Sequence, residues 1–263
     1  MCDLMYFGDH CAPGIIIWDI LNKRDKILFM LGAFKIDNIL SFLKDRNFHS
    51  IYDTNYLVNS KNEHVKPIIK SELNQNIHFD NPKYDNCIVH SKYKFCFLHD
   101  YIYSHEQNAI LNYNYISNQY KLKIEKTMNI FNNNNPILFI NFVYSMESTN
   151  YINNNIHELI HVLNSYIPHK KYYLLFFTNF EIPNIHIENI FFIKLKNDYS
   201  NWHETPNNLR LNLYKEIYNK FYKVTKKLNL HRNFPVFEET FYYKTNIHNQ
   251  KIDTCGSLDE IQN

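Results

Sequence analysis

Residues 136–178 constrain the fold more than any other stretch of the chain. The run Pro136-Ile137-Leu138-Phe139-Ile140-Asn141-Phe142-Val143-Tyr144 is apolar at nearly every position. A strand with one wet face alternates apolar and polar residues, whereas continuous apolarity marks a strand covered on both faces. Residues 156–167 then carry Ile156, Leu159, Ile160, Leu163 and Ile167 at helical spacing. A second continuous apolar run occupies residues 172–178. Two buried strands around one helix predict a βαβ crossover, which makes the strands parallel. A third strand is expected at residues 190–195, after a loop containing Pro183. The expected fold is α/β: a mixed β-sheet flanked by helices, with a βαβ crossover in the C-terminal half.

The remaining elements follow from weaker patterns. Leu4-Met5-Tyr6-Phe7 is an extended apolar segment that meets Gly8. Residues 36–43 predict a helix with Ile36, Ile39, Leu40 and Leu43 on one face and Asp37 in its first turn. Residues 50–58 read as a weak strand, and the polar residues 59–81 as a long loop. Strands are expected at 87–89 and 93–98. Residues 106–131 read as one long helix, closed by the Asn run before Pro136. A last helix, with a Lys-rich end that complements its dipole, fits residues 209–228. No linker divides the chain, so residues 1–240 are expected to form a single α/β domain and residues 241–263 a polar, frayed tail.

Composition narrows the function classes. A net charge of +2 gives no overall basic field, so no nucleic acid is expected as a partner. The apolar runs are too short to span a bilayer, and no membrane is expected. The first residues lack a basic region followed by an apolar core, which predicts no signal peptide. Five sparsely spaced cysteines with no CxxC support neither a disulfide framework nor a Cys-rich zinc site. These features together predict a reduced, soluble, intracellular protein. Abundant Asn, Ile, Lys and Tyr, with only 4 Gly, match A/T-rich codons. That bias points to an A/T-rich genome such as that of a virus or parasite, and hence to the cytoplasm of an infected cell. No pattern specifies an oligomeric state.

Cys11 is the first candidate for chemistry. In Phe7-Gly8-Asp9-His10-Cys11-Ala12-Pro13-Gly14 the chain leaves a strand at Gly8, and Pro13 suits a first helical turn. Cys11 then stands at the N-terminus of a helix burying Ile16, Ile17 and Ile20, where free amides lower a thiol's pKa. The plainer alternative is a buried cysteine, the commoner state of a free thiol. A cysteine nucleophile needs a base, and the base needs a group that fixes its tautomer. His99, which closes an apolar strand, is the candidate base; Asn141 and Asp100 are the candidate orienting groups. Asp100 follows His99 directly and would normally point the other way. On the alternative reading His99-Asp100 is only a polar strand end.

Three motifs occur in a fixed order: Gly8-Asp9-His10-Cys11, Phe97-Leu98-His99-Asp100-Tyr101, and Pro136-Ile137-Leu138-Phe139-Ile140 with a helix and Leu174-Leu175 behind it. Together they resemble an uncharacterised family described as papain-like cysteine peptidases, with members in bacteria and large DNA viruses. The resemblance runs from about Asp3 to about Tyr222 and takes in Trp202. It implies a Cys/His hydrolase, peptidase- or amidase-like, acting on a peptide or other acyl substrate without a cofactor. Cys11 would be the nucleophile and His99 the base. No Gln precedes Cys11, where papain-like enzymes place an oxyanion donor; amides near residues 10–12, including that of Cys11, or the His10 side chain would serve. A parallel βαβ unit also departs from the mainly antiparallel papain sheet.

A second motif reads differently. His157-Glu158-Leu159-Ile160-His161 is an HExxH, whose two histidines share a helix face and could hold Zn²⁺ with Glu158 as general base. A catalytic zinc needs a third protein ligand. Asn164 and Ile167 break the metzincin continuation, and Glu181 or Glu188 are the downstream candidates. The alternative is a helix whose apolar stripe packs on the sheet, with both histidines on its flank. A P-loop or GxGxxG is excluded by the four glycines. A Rossmann-like transferase is therefore left without a motif, and a catalytically inactive interaction module is the non-enzymatic alternative. Lysines among the aromatics of residues 214–227 fit a solvated helix face.

Overall fold

The computed structural model describes residues 1–8, 20–21, 28, 35–61, 64–70, 87–97, 100–143, 146–181, 185–196 and 207–234. In chain order the elements are β1 (Asp3–Gly8), α1 (Ile36–Asp45), a 3₁₀ turn (Phe48–Tyr52), β2 (Leu57–Asn59), β3 (Ile68–Ile69), β4 (Ile88–His90) and β5 (Phe95–Phe97). There follow β6 (Tyr103–Ser104), β7 (Ala109–Ile110), α2 (Tyr113–Asn132), β8 (Ile137–Val143) and α3 (Met146–Tyr166). The last are β9 (Tyr172–Thr178), β10 (Ile190–Lys194), α4 (Asn207–Lys227) and a 3₁₀ turn (His231–Asn233).

The α/β class and the βαβ crossover hold. β8, α3 and β9 form the crossover, with β8 and β9 parallel from Ile137↔Tyr172 to Val143↔Thr178. The main sheet has the order β1-β8-β9-β10, and every neighbour pair is parallel. All seven residues of β8 and all seven of β9 are buried, as continuous apolarity requires. β10 is the half-exposed edge. Parallel and antiparallel pairing are segregated: β2-β4-β5 is antiparallel, and β3-β7-β6 is the one sheet that mixes both.

Registered neighbours in a parallel sheet share a face. Phe7, Asn141 and Phe176 therefore stand side by side on one face, with Phe7 stacked on Phe139 at 5.2 Å. Phe142 and Phe177, stacked at 4.8 Å, belong to the other. α1 packs on α3 in the same direction. Lys35 pairs with Glu147 at 3.6 Å at their starts, and the Arg46 guanidinium lies 5.4 Å from the Tyr166 ring at their ends. The Asn run forms the expected loop, and it is structured by β1: Asn133 and Asn135 donate to the Asp3 carboxylate at 2.7 and 3.3 Å.

Several boundaries differ from the sequence expectation. Residues 106–112 are not helical: Ala109 and Ile110 pair with β3 and β6, and α2 starts at Tyr113. Asn112 stops the helix there, accepting from the Ile102 amide at 2.7 Å and donating to the Asp100 carbonyl at 2.8 Å. Residues 50–58 divide into a 3₁₀ turn and the short β2. α3 starts at Met146, ten residues ahead of the apolar stripe, on the buried Ser148, Thr149 and Ile152. Residues 71–81 and the tail 241–263 lie outside the described residues, as does most of the helix expected after Cys11; Ile20 and Leu21 within it are helical and buried. Among the described residues one hydrophobic core runs from Cys2 to Leu230. No described helix is long and apolar enough to cross a membrane.

Candidate functional site

A parallel sheet brings all its C-terminal strand ends to one edge, here Gly8, Val143, Thr178 and Lys194. In open α/β sheets ligands bind outside that edge. Gly8 is followed at once by Asp9-His10-Cys11, so the Cys11 motif issues from the C-terminal end of β1. His10, Cys11 and His99 themselves lie outside the described residues, as do Leu98, Ala12 and Pro13. Asn141 and Asp100 are described.

Asn141 is 3% exposed, two residues before the end of β8, between Phe7 of β1 and Phe176 of β9. Its Nδ2 is buried and has no hydrogen-bond partner among the described residues. Leaving a buried amide donor unpaired costs about 1–3 kcal/mol, so this position in an otherwise apolar strand is occupied at a cost to stability. Thr178, 1% exposed, ends the adjacent strand on the same face. Its Oγ1 is turned back to accept from the Phe180 amide at 3.0 Å.

Asp100 is directed towards α2. Tyr120 donates its phenol to the Asp100 carboxylate, and the Lys123 ammonium is 3.8 Å away. Burial, and after it the neighbouring Asp100 carboxylate, push the Tyr120 phenol well above its ordinary value. Phe97, the last residue of β5, is buried between Tyr101 and Tyr120 at ring distances of 5.1 and 5.6 Å. Residues 97 and 100 are thus both fixed against α2, one on each side of His99. The chain entering β5 also follows α1. Lys92 and Tyr93 reach Asp45 at its end, while the Lys94 carbonyl accepts from Asn38 at 3.4 Å nearer its start.

The HExxH lies on α3 as predicted, and His157, Glu158 and His161 are all exposed. Glu158 is ion-paired with Lys44 of α1. Among the described residues no group of three His, Cys, Asp or Glu side chains could hold a metal, and Glu181 and Glu188 do not join the motif. The helix packs through Ile156, Leu159 and Leu163, as its apolar stripe implies.

Two features were not visible as sequence motifs. Cys87 and Cys96 stand with their sulfurs 2.7 Å apart. Their spacing matches no redox or metal motif. The signal was instead the period-2 alternation of two strands joined by a short turn, which turns both thiols to one face. The second feature is an open cavity of about 920 Å³ lined by Lys170, Lys171, His186, Glu188 and Lys227 among others. It sits where β9 and β10 begin, the edge opposite Gly8 and Asn141. Volume alone would favour it as the binding site, but no cysteine or serine is among the described residues that line it, and the strand-end argument favours the other edge. Compared with protein-family models, with curated proteins and with solved structures, the chain finds no match.

Proposed function

We propose that the protein is a cysteine-dependent hydrolase of the peptidase or amidase kind, with Cys11 as nucleophile and His99 as base. The observation that carries this reading is the buried Asn141, its Nδ2 without a partner among the described residues near the C-terminal edge, one strand over from the strand that leads into Cys11. An Asn so placed has an oxygen that can accept from an imidazole N–H and a nitrogen that can donate to an oxyanion. Two further points support it. Asp100 and Phe97, either side of His99, are held by α2, which would limit the freedom of the imidazole. The run from Lys92 to Lys94 advances along α1 towards its start, beside the start of α3 and hence the C-terminal edge of β8.

In this mechanism His99 takes the Cys11 proton and the thiolate attacks an acyl carbonyl. Amides near residues 10–12 hold the oxyanion. The intermediate collapses, breaking the scissile C–N bond as the His99 imidazolium returns its proton to the leaving amine. Water, deprotonated by His99, then releases the acyl group from sulfur. Asp100, already engaged by Tyr120 and Lys123, serves to anchor the chain, and Asn141 orients the base. The thiol would have to be kept reduced, in keeping with the intracellular setting expected from the cysteine usage.

The test is the alkylation rate of Cys11 by iodoacetamide against pH, with free glutathione as reference. A Cys87→Ser/Cys96→Ser background removes the competing thiol pair. Expected is reaction at neutral pH about tenfold or more faster than the reference, as for a thiol with a lowered pKa, and loss of that advantage in His99→Ala. Cys11 reacting like glutathione, unaltered by His99→Ala, would overturn the proposal.

A further inference from the structure

The β2-β4-β5 sheet carries a second thiol chemistry that does not depend on Cys11. Its burial alternates: Ile88, His90, Phe95 and Phe97 face the core, whereas Val89 and Cys96 are part-exposed on the outer face. Cys96 is registered against Val89, and Cys87 lies two residues before Val89, hence on the same outer face. The two sulfurs are 2.7 Å apart, about 0.7 Å beyond a disulfide bond of ~2.05 Å. Cys87 stands one residue outside the last described β4–β5 pair, Ile88↔Phe97. On its other side the Ser60 amide donates to the Cys87 carbonyl at 2.9 Å.

We propose that Cys87 and Cys96 are a thiol–disulfide exchange pair, closed to an intramolecular disulfide across the β4–β5 hairpin by a small-molecule disulfide such as oxidised glutathione. The order of attack follows from the environment of each sulfur. The contact with Cys96, joined by the Ser60 hydroxyl, brings Cys87 down to about 6, while the same contact and then burial raise Cys96, so within the pair the proton is held preferentially at Cys96. Cys87 is thus the thiolate at neutral pH, and Cys96 carries the shared proton. The Cys87 thiolate attacks one sulfur of the small disulfide; that S–S bond breaks, a mixed disulfide forms, and one thiolate leaves. Cys96 gives up its proton to the departing thiolate, attacks the Cys87 sulfur and expels the second thiolate. The protein loses two electrons and the one proton of the pair, and the oxidant becomes one thiol and one thiolate, which takes a proton from water.

The full chain carrying Cys11→Ser is incubated with glutathione buffers of rising oxidised fraction, then alkylated, digested with trypsin and mapped. The expected product is the tryptic peptide holding Cys87 bridged to the one beginning at Phe95, reversed by reduced glutathione, with circular dichroism unchanged. Cys96→Ser should arrest Cys87 as the mixed glutathione disulfide. Cys87→Ser should leave Cys96 holding at most a mixed glutathione disulfide and no bridged peptide, captured more slowly than at Cys87 of the unmodified pair because burial still disfavours the Cys96 thiolate. Full alkylation of both thiols in excess oxidised glutathione, or a mixed disulfide on Cys87 that never resolves onto Cys96, would overturn the proposal. Neither result bears on Cys11, whose reactivity is read in the background lacking both of these cysteines.

Discussion

His90 shares its proton with protein groups only. It is 0% exposed, stacked between Tyr56 and Tyr93 at 5.1 and 4.7 Å. The Tyr93 amide donates to Nδ1 at 3.2 Å, so Nε2 carries the hydrogen and donates to the Ser50 carbonyl at 2.8 Å. Burial is the larger influence and holds the imidazole below its ordinary 6.5, against the Ser50 carbonyl, which favours the charged form. As pH falls through 6.5 the unfolded chain takes up this proton before the folded one does. The stabilisation is therefore complete above that value and is lost below it. The urea midpoint should drop between about pH 7.5 and about pH 5.5, and His90→Gln, which stays neutral and keeps both kinds of hydrogen bond, should flatten the slope. Equal slopes for the two proteins would show that His90 contributes nothing to it. None of this was legible in the sequence, where His90 is one of 14 histidines. Its state depends on Ser50 and on aromatic neighbours that only the hairpin assembles.

The elements show where sequence reading succeeds and why it fails. β8 and β9 were legible because burial on both faces demands apolarity at every residue, a constraint local to the strand. Residues 106–112 were misread because the helical spacing of Ile116, Tyr120, Ile124, Met128 and Phe131 was extended back past Tyr113, while the pairing of β7 with β3 and β6 depends on partners distant in sequence. The turns reflect the scarcity of glycine. The four described residues at positive φ other than Gly are Arg46, Lys94, Asn108 and Asn229, with φ of 45–58°. In that region the Cβ of either residue crowds the following carbonyl, a cost that the short Asn side chain offsets by hydrogen-bonding locally and the Lys side chain does not. Lys94 closes the β4–β5 turn, its amide donating to the His90 carbonyl at 2.7 Å. Lys94→Gly should therefore raise unfolding free energy by about 0.5–1 kcal/mol. Asn108→Gly should gain nothing, because the Asn108 oxygen accepts from Tyr103 at 2.6 Å. Urea unfolding of the two variants separates them, and a destabilised Lys94→Gly would show that its side chain matters more than its backbone.

At the scale of the whole molecule the strand order carries the functional argument. The order β1-β8-β9-β10 follows the sequence without reversal, so the described sheet offers no crevice between diverging crossovers. Both candidate catalytic segments instead fall within residues 9–136, the long connection between the adjacent β1 and β8. Sequence motifs located these segments along the chain but not the sheet edge to which Gly8 leads, because strand direction emerges only from pairing. If the C-terminal edge is the working one, Asn141 and the cavity at the opposite edge should respond differently to substitution. Asn141→Leu replaces an unpartnered buried amide with hydrocarbon of similar volume, and should stabilise the fold by about 1–3 kcal/mol. The same change should slow alkylation of Cys11 towards the rate of free glutathione, since the group that orients the base is gone. His186→Ala, in the exposed wall of the opposite cavity, should alter neither quantity. Stability rising while reactivity falls is the signature of a residue kept for function at the expense of the fold. Asn141→Leu with normal Cys11 reactivity, or His186→Ala with impaired reactivity, would move the site away from the edge where β1 and β8 end.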